Sequence, residues 1–285
     1  MTTVTFRLLA LDIDGTLLKS NHRLAKETKE AVEYAKEKGA YVTLATGRAF
    51  PSAKKVAKAL KLDDAYLVTH DGAFVASEVD DPIYERRLDS DRVYQIVDIL
   101  ENYHCHIRLL HEKYAIGNKT RQRNLMSRMN LSVGDPLFYP VNFVDSPSHH
   151  LIDQPLTVPK IRAQFWSEKE RKDALEELRE VVRNTHITSS AEGSLDIVDA
   201  SASKAKGLQI LGRKLGISLQ EMVAIGSSEN DIEMIEQVGL GVAMGQSEKG
   251  IQSIADWVTR SNNQNGVGYA VREVFRKQLH PEIYK

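Results

Sequence analysis

The 285-residue chain holds a single cysteine, Cys105. No intrachain disulfide can form, and a reducing, cytoplasmic setting is the simplest expectation. Charge of one sign is missing too: 38 Lys and Arg stand against 39 Asp and Glu, a formal net charge of -1. Such a balance gives no general attraction to nucleic acid or to a membrane surface, so a partner has to be recognised through a specific site. No apolar run approaches the ~18 residues of a membrane-spanning helix. The opening "MTTVTFRLLALDID" meets acid too early for a signal peptide. Internal repeats, low-complexity segments and a GxxxxGK[ST] phosphate loop are likewise absent.

What is present is length and rhythm. With 285 residues, 42% of them hydrophobic, one large domain or two modest ones can form, and two are expected. "LLALDIDGTLL", residues 8 to 18, is an apolar strand that ends in two carboxylates, Asp12 and Asp14, and a Gly-Thr turn. "HRLAKETKEAVEYAKEKGA" follows with helical spacing and a glycine stop, then "YVTLATGR" as a strand, "PSAKKVAKALKL" as a helix and "AYLVTHDGAFV" as a strand with a turn. Strands alternating with helices predict a parallel, doubly wound sheet. The rhythm returns late, in "SLDIVDAS", "SKAKGLQILGRKLG", "MVAIGSS", "NDIEMIEQVG" and "GVAM", so both ends of the chain should share one sheet. Between about 85 and 190 the pattern changes to that of an α+β insert. In "PKIRAQFW", Ile161, Ala163 and Phe165 should face one side and Lys160, Arg162 and Gln164 the other, toward solvent or an anionic ligand.

Ligands of a doubly wound sheet bind beyond the carboxyl ends of its strands. Asp12, Asp14, Thr46, Asp71, Ser227 and Asp231 all follow apolar strands, so the fold should gather them. Taken alone, "DIDGT" is also a common turn in which Asp caps backbone amides. A calcium loop is excluded, because the glycine and glutamate it requires fall on Leu17 and Arg23. Carboxylates two residues apart on a strand face the same way and can divide the labour of phosphoryl transfer. One attacks phosphorus and the other gives a proton to the leaving oxygen. Mg2+ would keep Asp12 ionised, and crowding by neighbouring acids should favour a proton on Asp14. Thr46 and Gly47 lie between strand and helix, where a hydroxyl and free amides bind phosphate or merely cap the helix. Lys204 opens a helix whose dipole disfavours a cation; a bound phosphate would account for it, as would ordinary surface placement. His104 and His106 lack a third ligand and read as surface. His149 and His150 fall in a Pro/Ser-rich loop, and "RQRNLMSRMN" is a basic helix too short to argue for nucleic acid.

Together, "DIDGTLL", "TGR", Ser203-Lys204 and "GSSEND" resemble the haloacid dehalogenase superfamily, in particular its Cof-like sugar-phosphatase branch, over essentially the whole chain. The resemblance implies an α/β fold: a Rossmann-like doubly wound parallel sheet, residues 1–84 and 191–285, with an α+β cap domain inserted over 85–190. It implies a Mg2+-dependent phosphatase of small phosphorylated metabolites, sugar phosphates or similar, that works through a phospho-aspartate. Asp12 would be nucleophile and Mg2+ ligand, and Asp14 the acid/base whose backbone carbonyl touches the metal. Ile13, Thr46, Gly47, Lys204 and Asn230 would bind phosphate; Ser227, Ser228 and Asp231 would complete the metal site.

Three departures stand out. The family's GDxxND reads Gly226-Ser227-Ser228-Glu229-Asn230-Asp231, so a serine replaces the usual metal-binding aspartate. The Asn-Gly turn after the third strand is Asp71-Gly72, and Ala205 follows Lys204 where glycine is frequent. One missing anion beside Mg2+ forfeits a gross attraction of about 8 kcal/mol at ~4 Å and an effective dielectric near 20, most of it cancelled by desolvation. A serine hydroxyl ligates Mg2+ in other phosphoryl-transfer sites, and Mg2+ commonly keeps waters and substrate oxygens. Reduced activity is the expected consequence. A phospho-ligand binder or sensor, and a phosphomutase, are the alternative functions.

Overall fold

A computed structural model describes residues 6–119, 140–189 and 192–276; the basic segment 121–130 lies outside the described residues. The central sheet is parallel, in the order β14 (Trp257–Val258), β13 (Leu240–Ala243), β12 (Met222–Gly226), β1 (Leu8–Leu11), β2 (Tyr41–Leu44). Both ends of the chain therefore contribute to one sheet. β1 is buried along its whole length because apolar layers cover both faces. Leu9, Leu11 and Ile225 pack with α1 (Lys26–Glu37), α2 (Phe50–Ala59) and α9 (Gly266–Phe275). Leu8, Ala10 and Ala224 pack on the other side with α6 (Lys204–Leu215), α7 (Ile232–Gln237) and α8 (Lys249–Ile254). A strand covered on both faces must be apolar at every position, which is what "LLAL" supplies.

β3 (Leu67–Thr69) joins this sheet through one parallel bridge, Ala45 to Val68, and then opens an antiparallel hairpin with β4 (Phe74–Ala76) and β5 (Pro82–Glu85). The connecting turn holds three successive left-handed residues, His70 (φ 51), Asp71 (φ 54) and Gly72 (φ 87). Gly72 is required there, because a Cβ would lie 1.8 Å from the Ser203 carbonyl oxygen.

The inserted cap is built on a six-stranded sheet in the order β10 (Thr185–Thr188), β11 (Ser194–Asp199), β9 (Lys160–Phe165), β6 (Cys105–Leu110), β7 (Ala115–Asn118), β8 (Val141–Val144). All its pairings are antiparallel except β7 with β8. Ile161, Ala163 and Phe165 pack with α3 (Ser90–Leu100) and α5 (Glu168–Val181) in a second apolar core. The opposite face does not meet solvent at Lys160, which reaches the Gly47 carbonyl of the core. Two expectations are corrected. Ser194–Asp199, read as a core strand beyond a boundary at 190, pairs with β9 and β10 in the cap sheet. Its period-two pattern, Leu195 and Ile197 toward the cap core with Asp196 on the polar face, is that of an antiparallel strand with one apolar side. His149 and His150 lie on α4 (Pro147–Asp153), whose first turn is capped by the Ser146 hydroxyl accepting from the His149 amide. Among the described residues, no helix is long and apolar enough to cross a membrane.

Candidate active site

β1 ends at Leu11, and Asp12 carries the sheet one step further by donating its amide to the Ile225 carbonyl at 3.0 Å. Asp14 is placed by a turn and not by strand alternation. Residues 13 to 17 form a single wide turn with Gly15 at φ 74, closed by the Leu18 amide on the Ile13 carbonyl at 3.1 Å. Asp12 and Ile13 are buried, while Asp14 projects to Arg48, whose Nε and a terminal nitrogen donate to its two carboxylate oxygens, each at 2.7 Å. This fork-on-fork pair is the strong geometry for Arg and carboxylate. Arg48 stands in the "TGR" turn, and its role depends on a partner 34 positions away that no local pattern marks.

Lys204 is fully buried, and its ammonium donates to Asp12 Oδ1 at 2.9 Å and to Asp231 Oδ1 at 2.6 Å. Two carboxylates thus account for a cation at a helix N-terminus. Burial lowers the affinity of Lys204 for its proton, but Asp12 and Asp231 outweigh it and hold the ammonium above the ordinary lysine range. Burial first, then Asp231, push Asp12 up to about 7 against the opposing pull of Lys204.

Ser227 lies beside the turn that carries Asp14. Its hydroxyl donates to the Asp14 carbonyl and accepts from Thr16 Oγ1, each at 3.2 Å. Asp231 organises that loop, its Oδ2 accepting the amides of Ser227 (2.7 Å) and Ser228 (3.0 Å). Asp231 thus accepts three hydrogen bonds, and the ligand role expected of it would fall on Oδ1, beside the Lys204 ammonium. Ser228 and Asp231 form a reciprocal capping box at the start of the following helical turn. Among the described residues no three His, Cys, Asp or Glu side chains form a ready metal cluster. The oxygen set of Asp12 carboxylate, Asp14 carbonyl and Ser227 hydroxyl does suit a hard cation such as Mg2+ that keeps waters and substrate oxygens.

Thr46 is buried and its hydroxyl accepts the Arg48 amide at 3.2 Å. Gly47 has no room for a side chain, since a Cβ would lie 2.8 Å from Asp71 Oδ1 and 3.0 Å from Lys160 Nζ. Asn230 donates to Asp71 Oδ1 at 2.7 Å, and its own Oδ1 is buried without a partner. The residues expected at the site are thus brought together by the loops after β1, β2, β3 and β12 and by the first turn of α6. His104 and His106 stay apart from it: the first is exposed against Glu170, the second half-buried beside Phe143. A cavity of about 650 Å3 opens between cap and core onto Asp71, Lys204 and Asn230, walled on the cap side by Arg183, His186 and Thr188.

The sequence profile of haloacid dehalogenase-like hydrolases matches residues 9–271. The chain belongs to this family. It is 46% identical over 274 residues to the stress response protein YhaX of Bacillus subtilis (strain 168), covering 95% of this chain and 94% of that one. It is 30% identical over 280 residues to the 5-amino-6-(5-phospho-D-ribitylamino)uracil phosphatase YitU of the same organism, with 94% and 97% covered. Among solved structures, a haloacid dehalogenase-like hydrolase from B. subtilis superposes with a TM-score of 0.82 at 26% identity, over 93% of this chain and 99% of that one.

Proposed function

We propose that this hydrolase is a Mg2+-dependent phosphatase of small phosphorylated metabolites and acts through a phospho-aspartate on Asp12. The observation that carries the reading is the buried arrangement of Asp12, with Lys204 on one side and the Asp14–Arg48 pair on the other. Lys204, the Thr46 hydroxyl and the Gly47 amide neutralise and orient the phosphate. An Asp12 oxygen attacks phosphorus, the bond to the leaving oxygen breaks, and Asp14 gives that oxygen its proton. Asp14 then takes a proton from water, whose oxygen attacks phosphorus and releases Asp12. Arg48 holds Asp14 in place for both transfers. Asp12, the Asp14 carbonyl and Ser227 would hold Mg2+, which when bound screens the phosphate charge and keeps Asp12 ionised. The cap, residues 86 to about 200, closes over the leaving group, for which the cavity beside Asn230 and His186 has room.

YitU's name as a phosphatase supports the reaction class. Phosphate release from a panel of phosphorylated sugars and aryl phosphates tests it, with Asp12→Asn as control: an isosteric amide cannot attack phosphorus. Residual activity within tenfold of the parent would sink the phospho-aspartate. The sparse anion set around Ser227 favours one rival, a phospho-ligand sensor, for which phosphate binding without Mg2+-dependent release is the signature.

A further inference from the structure

Lys160 is the first residue of β9 in the cap and is completely buried. Its ammonium meets three acceptors: the Gly47 carbonyl at 3.0 Å, Asp196 Oδ1 at 2.9 Å and Asp71 Oδ2 at 2.5 Å. Three N–H donors are thereby matched. Two acceptors belong to the core and one to the cap, so this side chain crosses the interface between them. Small apolar contacts also cross between core and cap: Ala49 against Leu110 and Ala115, and Ala73 and Ala202 against Val198.

Each core acceptor leads to the reaction centre. The Gly47 carbonyl belongs to the peptide whose amide is that of Arg48, bonded to Thr46 Oγ1, and the Arg48 side chain grips Asp14. Asp71 donates its amide to the Thr46 carbonyl at 3.1 Å and accepts Asn230 at 2.7 Å. Burial alone would raise the Asp71 carboxyl, yet the Lys160 ammonium overrides this and holds it below the usual range. A buried ion pair adds little net stability over apolar residues of equal volume, so stability is a poor reason for this one. What it does supply is one fixed geometry. An aspartate where the family usually has asparagine is what a cap lysine needs as counter-charge.

We propose that Lys160 is a positioning residue of the reaction, a pin from the cap that sets the Thr46–Arg48 loop and the Asp71–Asn230 pair in their working arrangement. The phosphate site is then complete only while the cap is seated. This rests on the phosphatase reading above, and the test separates the two. Lys160→Met, Asp71→Asn and the double variant are compared with the parent by steady-state kinetics on an aryl phosphate, by calorimetric titration with inorganic phosphate and by urea denaturation. Lys160→Met should lower kcat at least 30-fold while KM moves less than threefold, and Asp71→Asn should lower kcat at least fivefold. The double variant removes both charges, so it should regain stability relative to Lys160→Met but not kcat. A purely structural ion pair would instead return activity together with stability. The proposal is overturned if Lys160→Met or the double variant keeps kcat within threefold of the parent. Should Lys160→Met fail to fold, a parental kcat in Asp71→Asn overturns it equally. If the parent releases no phosphate, the functional reading falls; the pin then stands only if inorganic phosphate binds Lys160→Met or Asp71→Asn at least fivefold more weakly, and equal affinities remove it.

Discussion

Ser227 puts a neutral hydroxyl, 3.2 Å from the Asp14 carbonyl, where a divalent cation held by Asp12 and Asp14 would look for an anion. Ser227→Asp should therefore tighten Mg2+ at least tenfold, about 1.4 kcal/mol. That is far below the gross Coulomb attraction because the new carboxylate must be desolvated. Calorimetric Mg2+ titration of the two proteins checks this, and equal affinities would show that residue 227 does not face the metal. Arg48 offers a second test. Arg48→Lys keeps the charge but loses the two-pronged grip on Asp14, and kcat should fall about tenfold, ~1.4 kcal/mol, with KM little changed; parental kcat would mean that Arg48 does not orient the acid. Asp12, Asp14, Thr46 and Lys204 were legible in the sequence because each follows a strand or opens a helix, which is local information. The roles of Arg48 and Lys160 were not, since they depend on what faces them: Lys160 meets Gly47 across 113 positions of chain. The guanidinium that pairs with Asp14 and the burial that raises Asp12 are both products of folding.

At the scale of elements, the parallel core was legible because buried parallel strands are apolar throughout and helices between them have a 3.6 period. β11 was assigned to the wrong sheet, although its alternation of Ser194, Leu195, Asp196, Ile197 carries the antiparallel signal. Apolar residues at every second position still leave the partner strand unnamed, and pairing with β9 is a long-range choice. The turn between β3 and β4 shows how closely elements are fitted here. Gly72 stands at φ 87, and the N-terminus of α6 passes so close that the Ser203 carbonyl occupies the place of a Cβ. Gly72→Ala should cost roughly 2 to 4 kcal/mol, through backbone strain and displacement of a packed helix end. Urea denaturation reads the loss as a lower midpoint at unchanged slope. A loss under about 0.5 kcal/mol would show that this turn and α6 are not in contact in solution.

The described residues form two apolar cores, one around the parallel sheet and one inside the cap, joined by a small apolar contact of Ala49 with Leu110 and Ala115 and by the Lys160 ammonium. Cys105 reports on the second. It is buried in the cap core, its Sγ 3.4 Å from the Leu100 carbonyl. Burial first, and then the carboxylates of Glu170 and Glu101, push its thiol from an ordinary 9.0 up to about 12. Because the folded value is raised, folding favours the protonated thiol. The contribution is fully present below about pH 9 and is lost as pH rises from there toward 12. The same shift predicts reactivity. The thiolate is the nucleophile, so near pH 8 an unfolded chain presents about one thiolate in ten and the native protein about one in ten thousand. A soluble disulfide reagent at that pH should label the native protein at least 100-fold more slowly than the chain in concentrated urea, and the urea dependence of labelling should trace the opening of the cap core. Were the native rate within tenfold of the unfolded one, Cys105 would be open to solvent, and the cap would lack the closed apolar layer that holds β9, and with it Lys160, in register over the core.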